Sequence, residues 1–327
     1  MNNPISDFER NVQDLQSRIE RLRGHSTGQE SEQVVNALAR LEDQTSKLRV
    51  RRYANLTTWE RIQIARHPNR PHTLDYVDMM CTDWMEIHGD RRFADDPAMV
   101  AGLGRLGDRS VAIIGQQKGR DTRKRILRNY GMAHPEGYRK ALRVMKMAER
   151  FGLPVVSLVD TAGAYPGLGS EERGIAESIA VNLREMALLR VPIVVVVIGE
   201  GGSGGALGIG VGDVVMMLEN AWYSVISPEG CASILWRTPA KAPLAAEALR
   251  MTAPQVEELG IADEILPEPL GGAHANWQTT AAEIKARVIS HLDSLSELSP
   301  DELVERRIER FCRIGVWQGE VSEQGDG

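Results

Sequence analysis

A glycine-rich stretch at residues 198–212, IGEGGSGGALGIGVG, has the composition in this sequence that is best suited to chemistry. It follows an apolar run at residues 193–197 that is typical of a buried strand. So many glycines allow the backbone to approach a ligand or another surface more closely than any Cβ permits. Several N–H groups can converge at the start of the short helix that follows, and this geometry suits an anion.

A second glycine turn, DTAGAYPG at residues 160–167, also follows a predicted buried strand. If the two strands are neighbours, both turns lie at one edge of the sheet, and their N–H groups can stabilise charge that develops on an oxygen. Such stabilisation is usually the largest contribution to this type of catalysis. For either turn alone, a tight strand-to-helix connection explains the glycines equally well.

The first stretch also fits the dinucleotide pattern G-x-G-x-x-G, through Gly199, Gly201 and Gly204. Glu219 follows at the distance where a dinucleotide-binding fold has its ribose-binding acid. Against this interpretation, residues 204–210 provide only about two turns of glycine-diluted helix, whereas a βαβ crossover needs a dozen residues or more. The helix length therefore argues against a nucleotide site.

A basic segment lies between the predicted strands. Residues 118–128 contain six basic residues and one acidic residue, Asp121, and three more basic residues follow on the next predicted helix. They are Lys118, Arg120, Arg123, Lys124, Arg125 and Arg128, then Arg139, Lys140 and Arg143. This local excess suits phosphate groups of a carrier or a cofactor. A solvated or partner-facing surface explains it nearly as well.

Side-chain catalysts are poorly placed along the sequence. Ser203 lies among glycines, but no histidine partner can be identified for it, so we do not predict a nucleophilic serine elbow here. Tyr165 and Glu200 could serve as acid or base. His67 and His72 lie in a proline-rich segment and are interpreted as loop or surface residues. We predict no metal site on this chain, because its cysteines are widely spaced.

The composition of the 327-residue chain is that of an ordinary globular protein, with 42% apolar residues, a net charge of −6 and a pI near 5.8. The acidic balance argues against nucleic acid as a partner of the whole protein. Neither a membrane-spanning helix nor a secretory signal is expected from the pattern of apolar residues. Three widely spaced cysteines fit reduced thiols, so we expect a cytoplasmic protein.

The periodicity of apolar residues divides the chain into three parts. Residues 1–94 are predicted to be helical, with an antiparallel hairpin over about 5–52 that begins at a capping box in residues 6–9. Residues 95–270 are predicted to form an α/β domain, and residues 271–327 C-terminal helices and a tail. The predicted strands are 111–115, 155–160, 193–198, 214–218 and 222–226, and the predicted helices of the domain are 135–151 and 171–189.

Together these motifs resemble one family, the carboxyltransferase alpha subunits of bacterial multisubunit acetyl-CoA carboxylase. The similar stretches run in order across nearly the whole chain: QIARHPNRPHTLDY at 63–76, IGQQKGR at 114–120, PEGYRKALR at 135–143, DTAGAYPG at 160–167, the glycine stretch 198–212, YSVISPEGCASIL at 223–235 and PEPLGGAH at 267–274. Ala162 departs from the family, in which this turn more often has proline. The change frees one φ angle and keeps the neighbouring N–H donors.

The resemblance implies an α/β fold of the crotonase type, a spiral of ββα units, with an N-terminal helical hairpin and C-terminal helices. It implies transfer of a carboxyl group from carboxybiotin, held on a biotin carboxyl carrier protein, to acetyl-CoA, which gives malonyl-CoA for fatty acid biosynthesis. The cofactor supplies the base in this chemistry, so the protein contributes orientation and electrostatics. The implied partners are a beta subunit that carries the family's zinc, in an α2β2 heterotetramer, and a biotin carboxylase in the larger complex.

By the same resemblance, the alpha subunit supplies the oxyanion hole on the biotin side. The residues assigned in this way are the backbone donors Gly204, Gly205 and Ala206, the substrate- or biotin-binding residues Gly201, Gly202, Gly163, Ala164 and Tyr165, and, for a coenzyme A phosphate or a carboxylate, Lys118, Arg120 and Arg139. We expect Gly205→Val to lower turnover at least about a hundredfold. Assembly with the beta subunit is expected to persist in that variant.

Three other functions stay open at the level of sequence. Another crotonase-like acyl-CoA carboxyltransferase or decarboxylase subunit would keep the oxyanion holes and change the base. A nucleotide-binding oxidoreductase would use the glycine pattern, and a non-catalytic scaffold would use the N-terminal hairpin. Activity of the chain alone would contradict an active site divided between two subunits.

Overall fold

The computed structural model describes residues 32–315 and the isolated positions Asp14, Ser17 and Arg21, with only the backbone described at residues 32–38 and 42. The three isolated positions are helical. The rest of the predicted first helix of the hairpin, with its capping box at 6–9, lies outside the described residues, as does the tail after residue 315. The predicted second helix is present as α1, Glu32–Ala54.

Helices and strands alternate through the rest of the described chain. The helices are α2 (Thr58–Ala65), α3 (Thr73–Met80), α4 (Thr122–Leu127), α5 (Pro135–Phe151), α6 (Leu168–Glu172), α7 (Ile175–Leu188), α8 (Ser203–Leu207), α9 (Pro228–Trp236), α10 (Ala242–Leu249), α11 (Ala253–Glu258), α12 (Trp277–Leu295) and α13 (Pro300–Cys312). The strands are β1 (Cys81–Glu86), β2 (Met99–Leu106), β3 (Arg109–Gln116), β4 (Val155–Thr161), β5 (Ile193–Gly202), β6 (Val214–Leu218), β7 (Trp222–Ser224) and β8 (Glu264–Leu266). None of the described helices is long and apolar enough to span a membrane.

The strands form one mixed sheet in the order β1-β2-β3-β4-β5-β6-β8, and β7 also pairs with β5. The first three strands pair antiparallel, and from β3 onward neighbouring strands are parallel. β4 and β5 are buried along their whole length, as expected for parallel strands that helices cover on both faces. The carboxyl ends of β3, β4 and β5 therefore meet at one edge of the sheet.

The predicted strands and helices of the α/β domain are present, but two features differ. β1 lies inside the range predicted to be helical, because this strand pairs only with β2 and buries none of its residues, which leaves no apolar alternation to recognise. The predicted helix 171–189 is interrupted between α6 and α7, because Gly174 adopts a left-handed φ of 77°. The domain boundaries at 94 and 270 stay a prediction.

The register between β4 and β5 changes just before the glycine turns. Val159 is opposite Val197, and the next pair along the ladder is Thr161 opposite Gly201. One residue of β4, Asp160, therefore faces residues 198–200 of β5. A bulge of this kind bends the bulged strand and redirects the chain that follows. Here that chain is the glycine-rich turn.

A buried ion pair closes the opposite end of β5. It joins Arg307 on α13 to Asp213, which precedes β6. The Arg307 guanidinium donates to both Asp213 carboxylate oxygens at 2.8 Å and to three backbone carbonyls of residues 186–191 at 2.6–2.9 Å. Asp213 also accepts a hydrogen bond from the N–H of Ile193, the first residue of β5.

Candidate active site

The two glycine turns lie side by side at the carboxyl edge of the sheet, because β4 and β5 are parallel neighbours. A Cβ on Gly202 would overlap the backbone of Ala162, and a Cβ on Gly205 would overlap the backbone of Gly163 and Ala164. The proposed meeting of the turns at one edge is therefore confirmed. Contact between the turns themselves requires glycine at positions 202 and 205.

This contact corrects the expectation for Gly205→Val. A valine there would push the two turns apart, so the variant would lose the local fold rather than only the space for a ligand. The sequence could not show this, because it does not show which atoms face a glycine. Persistence of assembly is no longer expected for this substitution.

The start of α8 distinguishes the three predicted N–H donors. The helix begins at Ser203, whose φ is 53°, and Gly202 is its N-cap. The first N–H groups of a helix have no intrahelical acceptor. The N–H groups of Gly204 and Gly205 therefore have no acceptor in the helix, whereas that of Ala206 points to the carbonyl of the N-cap. Helix geometry favours the two glycines as donors.

The first turn has two N–H groups that already have partners. Gly163 donates to Thr161 Oγ1 at 3.1 Å, and Tyr165 donates to the carbonyl of Ala133 at 3.1 Å. Ala164 lies between these two donors in the chain. Its N–H group is therefore the candidate donor of this turn.

The glycines differ in the space around them. A Cβ on Gly201 would overlap the side chain of Tyr223, so the protein itself fills that space. A Cβ on Gly204 would meet nothing closer than Ile179 at 3.7 Å, and one on Gly163 would meet nothing within 4 Å. Open space therefore borders one glycine of each turn. Substrate binding by Gly201 and Gly202 stays a prediction.

Gln116, at the end of β3, connects the two turns and is completely buried. Its Nε2 donates to the carbonyl of Gly205 at 3.0 Å, and its Oε1 accepts the N–H of Asp160 at 3.0 Å. The hydroxyl of Tyr138 donates to the same Gly205 carbonyl at 3.2 Å. Gln116 is not among the site residues predicted from the sequence, although an amide side chain that ends an apolar β-rich run is a signal of a buried polar contact.

A group of buried and half-buried charged side chains lies beside the turns. We call Arg66, His72, Lys118, Asp160 and Glu200 the strand-end cluster. Lys118 Nζ donates to Asp160 Oδ1 at 2.7 Å and to Glu200 Oε2 at 2.6 Å. Arg66 Nε donates to Glu200 Oε1 at 2.7 Å, and His72 Nδ1 lies 3.3 Å from Asp160 Oδ2. The cluster therefore ties the ends of β3, β4 and β5 to the segments around α2 and α3.

The ionisation of the cluster is set by competition between burial and neighbouring charge. Burial opposes ionisation of Asp160, yet the charge of Lys118 and the hydrogen bond to His72 hold the pKa of this carboxyl far below its usual range. Burial also opposes ionisation of Glu200, and the charges of Lys118 and Arg66 lower its pKa. Burial opposes the charged form of Lys118, but the two carboxylates raise its pKa. All three groups are charged at neutral pH.

His72 lies in a loop just before α3, as one part of the prediction has it, but it is not a surface residue, because only 6% of it is exposed. Its partner Asp160 is 88 residues away in the chain, so sequence spacing could not reveal the contact. His67 stacks its ring on His274, with the ring centroids 3.6 Å apart. His72, through its contact with Asp160, therefore approaches the first glycine turn in space, although no histidine lies next to either turn in the sequence.

Four members of the strand-end cluster, all except Asp160, line a cavity of about 260 Å³. Ala162 of the first turn lines the same cavity, as do Arg125 and Tyr130 of the basic segment. The cavity is therefore bordered by charged side chains and by one residue of the first glycine turn.

The three cations predicted to bind a phosphate or a carboxylate are not brought together. Lys118 belongs to the strand-end cluster. Arg120 pairs with Asp75 at 2.5 Å, and Arg139 pairs with Asp90 at 2.8 Å and lines a different cavity. Each cation already has carboxylate partners in this chain. A contact with coenzyme A stays a prediction for these residues.

The stretches that resemble the family converge at this edge of the sheet. Arg70, from residues 63–76, donates to the carbonyl of Ile198 at 2.8 Å and to Glu268 at 2.6 and 3.0 Å. Glu268 belongs to the stretch 267–274 and is buried with its partner. A second buried pair thus fixes the chain at the first residue of the bulge of β5. Among the described residues, no group of three or more His, Cys, Asp or Glu is arranged to hold a metal ion.

Comparison with known proteins identifies the family. A family profile described as "Acetyl co-enzyme A carboxylase carboxyltransferase-like" matches residues 5–315. The acetyl-coenzyme A carboxylase carboxyl transferase subunit alpha of Syntrophotalea carbinolica is 54% identical over 313 residues, which cover 95% of this chain and 98% of the relative. The chain belongs to this family. The protein of the same name from Deinococcus radiodurans is 54% identical over 314 residues, with 96% and 97% covered. The chain is thus a component of a biotin-dependent transferase.

Solved structures of lower identity agree with the fold. Transcarboxylase 12S, with methylmalonyl-coenzyme A bound, aligns with a TM-score of 0.57 at 20% identity, over 71% of this chain and 44% of that one. A Pseudomonas malonate decarboxylase hetero-tetramer in complex with coenzyme A aligns with a TM-score of 0.54 at 15% identity, over 68% and 89%. The fold is crotonase-like, as the resemblance implied. α8 has five residues, so the glycine pattern is not followed by the long helix of a dinucleotide site.

Proposed function

We propose that this chain catalyses, with a partner subunit, the transfer of a carboxyl group from carboxybiotin on a biotin carboxyl carrier protein to acetyl-CoA. The product is malonyl-CoA for fatty acid biosynthesis. Membership of the family supports this proposal. The single structural observation that supports it is the contact between the two glycine turns, beside open space at Gly163 and Gly204.

The residues at this contact fit the ureido group of biotin. Backbone N–H groups at a helix start suit an oxygen that gains negative charge, and open space at Gly204 leaves room for a ring beside them. When bound, the cofactor supplies the carboxyl group and the base for the acyl-CoA α-proton. In the proposed arrangement Gly204 and Gly205 donate to the ureido oxygen from one side, and Ala164 donates from the other. Gly201, Gly202 and Gly163 shape the turns, and Tyr165 forms a wall.

The proposed partners complete the site. A beta subunit would provide the oxyanion hole for the thioester and a zinc site, within an α2β2 heterotetramer in the cytoplasm. A biotin carboxylase would recharge the carrier protein. Large apolar side chains that are 61–76% exposed provide surface for such partners near β7, α9 and α10: Val225, Ile234, Leu235 and Leu244.

Assays of the purified chain alone and with a beta subunit test the proposal. Malonyl-CoA and biocytin are the substrates of the reverse reaction, and formation of acetyl-CoA is measured. We expect activity only when both subunits are present. Activity of the chain alone would contradict a divided site. An assembled complex that forms no acetyl-CoA would overturn the proposed function.

A further inference from the structure

The carboxylate of Asp160 occupies the inside of the bulge in β5. Its Oδ1 accepts the N–H of Glu200 at 3.0 Å. A Cβ on Gly199 would lie 2.5 Å from the same oxygen, so the bulged backbone packs directly against the carboxylate. Since the bulge lies between the pairs 159–197 and 161–201, this side chain contacts two of its three residues on β5, Gly199 and Glu200.

Lys118 connects this carboxylate to the far side of the bulge. The side chain is 14% exposed, and its ammonium group donates to Asp160 on β4 and to Glu200 on β5. Without the ammonium group, two carboxylates would face each other in a buried site, which is costly. The register that follows the bulge brings Gly202 and Gly205 against the first turn.

We propose that Lys118 is a positioning residue whose ammonium group bridges Asp160 and Glu200, holds the bulge of β5 and thereby keeps the two glycine turns in contact. The catalytic consequence rests on the proposed function, whereas the structural consequence does not. Lys118 would act through the backbone of the turns, and this role requires no contact with the substrate.

A matched pair of variants in the complex with the beta subunit tests the catalytic consequence. Lys140 is a suitable control, because it is also a buried lysine, with its Nζ 2.6 Å from Asp95 Oδ1 and 2.9 Å from the carbonyl of Asp96. We expect Lys118→Met to lower kcat about tenfold to a hundredfold, the usual effect of a small misplacement of reacting groups. KM for malonyl-CoA should stay within about twofold, since the proposed beta subunit would provide the oxyanion hole for the thioester. Lys140→Met should lower the melting temperature and leave kcat per folded complex nearly unchanged.

The pH dependence of kcat separates positioning from a general loss of stability. In Lys118→Met, burial and mutual repulsion would raise the pKa of one of the two carboxyls, so that a proton can replace the ammonium bridge at lower pH. We therefore expect kcat of this variant to recover as the pH falls from 9 to 6, relative to the wild type. Equal kcat values for Lys118→Met and Lys140→Met, or parallel pH profiles of Lys118→Met and wild type, would overturn the positioning role.

Hydrogen exchange of the chain in the same complex tests the structural consequence without an assay. The amide of Glu200, which donates to Asp160, and the amides of 201–205 should exchange faster in Lys118→Met and not in Lys140→Met. If this is seen while the wild-type complex forms no acetyl-CoA, the proposed function fails and the positioning role stands. Unchanged exchange would overturn the positioning role. If Lys118→Met does not assemble, the double variant Lys118→Met with Glu200→Gln keeps the net charge of the cluster and is expected to show the same faster exchange.

Discussion

The two ends of β5 are both closed by buried charges, but they differ in how those charges are satisfied. At the amino end, all five N–H groups of Arg307 have acceptors, shared between one carboxylate and three backbone carbonyls. At the carboxyl end, the charges of the strand-end cluster pair with one another across several segments, and all members except Asp160 line a cavity of about 260 Å³.

This difference separates a structural role from a functional one. Asp213 and three backbone carbonyls together accept all five N–H groups of Arg307, so it has no donor left for a ligand. The strand-end cluster instead borders a cavity, a bulge and two turns with free N–H groups, and perturbed charges in such a place are typical of functional sites. Variants at the amino end of β5 should therefore change the free energy of unfolding, whereas variants at the carboxyl end should also change turnover.

The largest effect is expected for Arg307→Met. The change leaves the Asp213 carboxylate buried without its cation, so the free energy of unfolding should fall by about 3–5 kcal/mol. Urea denaturation measures this loss. Turnover per folded complex should stay the same. A variant with native stability but impaired turnover would contradict the structural role of Arg307. Arg190→Met is the control, because its ion pair with Asp301 is exposed and should contribute little.

The next effect concerns the two adjacent glycines of α8. Gly204→Val places a side chain in open space, so turnover should fall about a hundredfold or more while the melting temperature stays close to that of the wild type. Gly205→Ala overlaps the backbone of the first turn, so it should lower the melting temperature. Steady-state kinetics and thermal denaturation of both complexes measure the contrast. Normal turnover of Gly204→Val would show that the substrate or cofactor does not occupy the open space at this glycine.

A smaller effect, which depends on pH, is expected for Asp160→Asn. The pKa of Asp160 is lowered from its ordinary value of 3.8, so its charge stabilises the fold above about pH 4, and that stability is lost as the pH falls towards the folded pKa. At pH 7 the wild type should exceed the variant by about 1–3 kcal/mol, the usual cost of an unmatched buried partner. The difference should shrink between pH 4 and pH 3.

Urea denaturation across this pH range measures that difference. Asp301→Asn provides the control, since its pairing with Arg190 is exposed and its removal should change the denaturation midpoint little. A wild-type advantage that grows below pH 4 would show that Asp160 is not ionised in the folded protein.

The smallest effect is expected for Arg120→Gln. Because Arg120 pairs with Asp75 near the surface, its loss should change KM for malonyl-CoA by less than about twofold. A tenfold rise in KM would instead support the predicted contact between Arg120 and coenzyme A. The same kinetic measurements as for the glycine variants decide the question.

The sequence predicts the strands and the glycine turns well because these depend on local composition. The run 193–197 is apolar throughout, and the parallel strand it forms is buried on both faces. The partners of buried charges could not be predicted, because they are fixed by distant contacts. Lys118, Asp160 and Glu200 are separated by 42 and 40 residues, and only the sheet order brings them together. The free space at Gly204 and its absence at Gly205 likewise depend on a neighbouring turn.

The buried pair of Arg70 and Glu268 also has a consequence for synthesis of the protein, since the two residues are 198 positions apart. At about 5–20 residues per second, Arg70 leaves the ribosome roughly 10–40 seconds before its partner. Until Glu268 has been synthesised, the Arg70 guanidinium, which is buried in the folded protein, lacks the carboxylate with which it pairs. We expect nascent chains that stop before residue 268 to be degraded by cellular proteases rather than to accumulate as folded fragments.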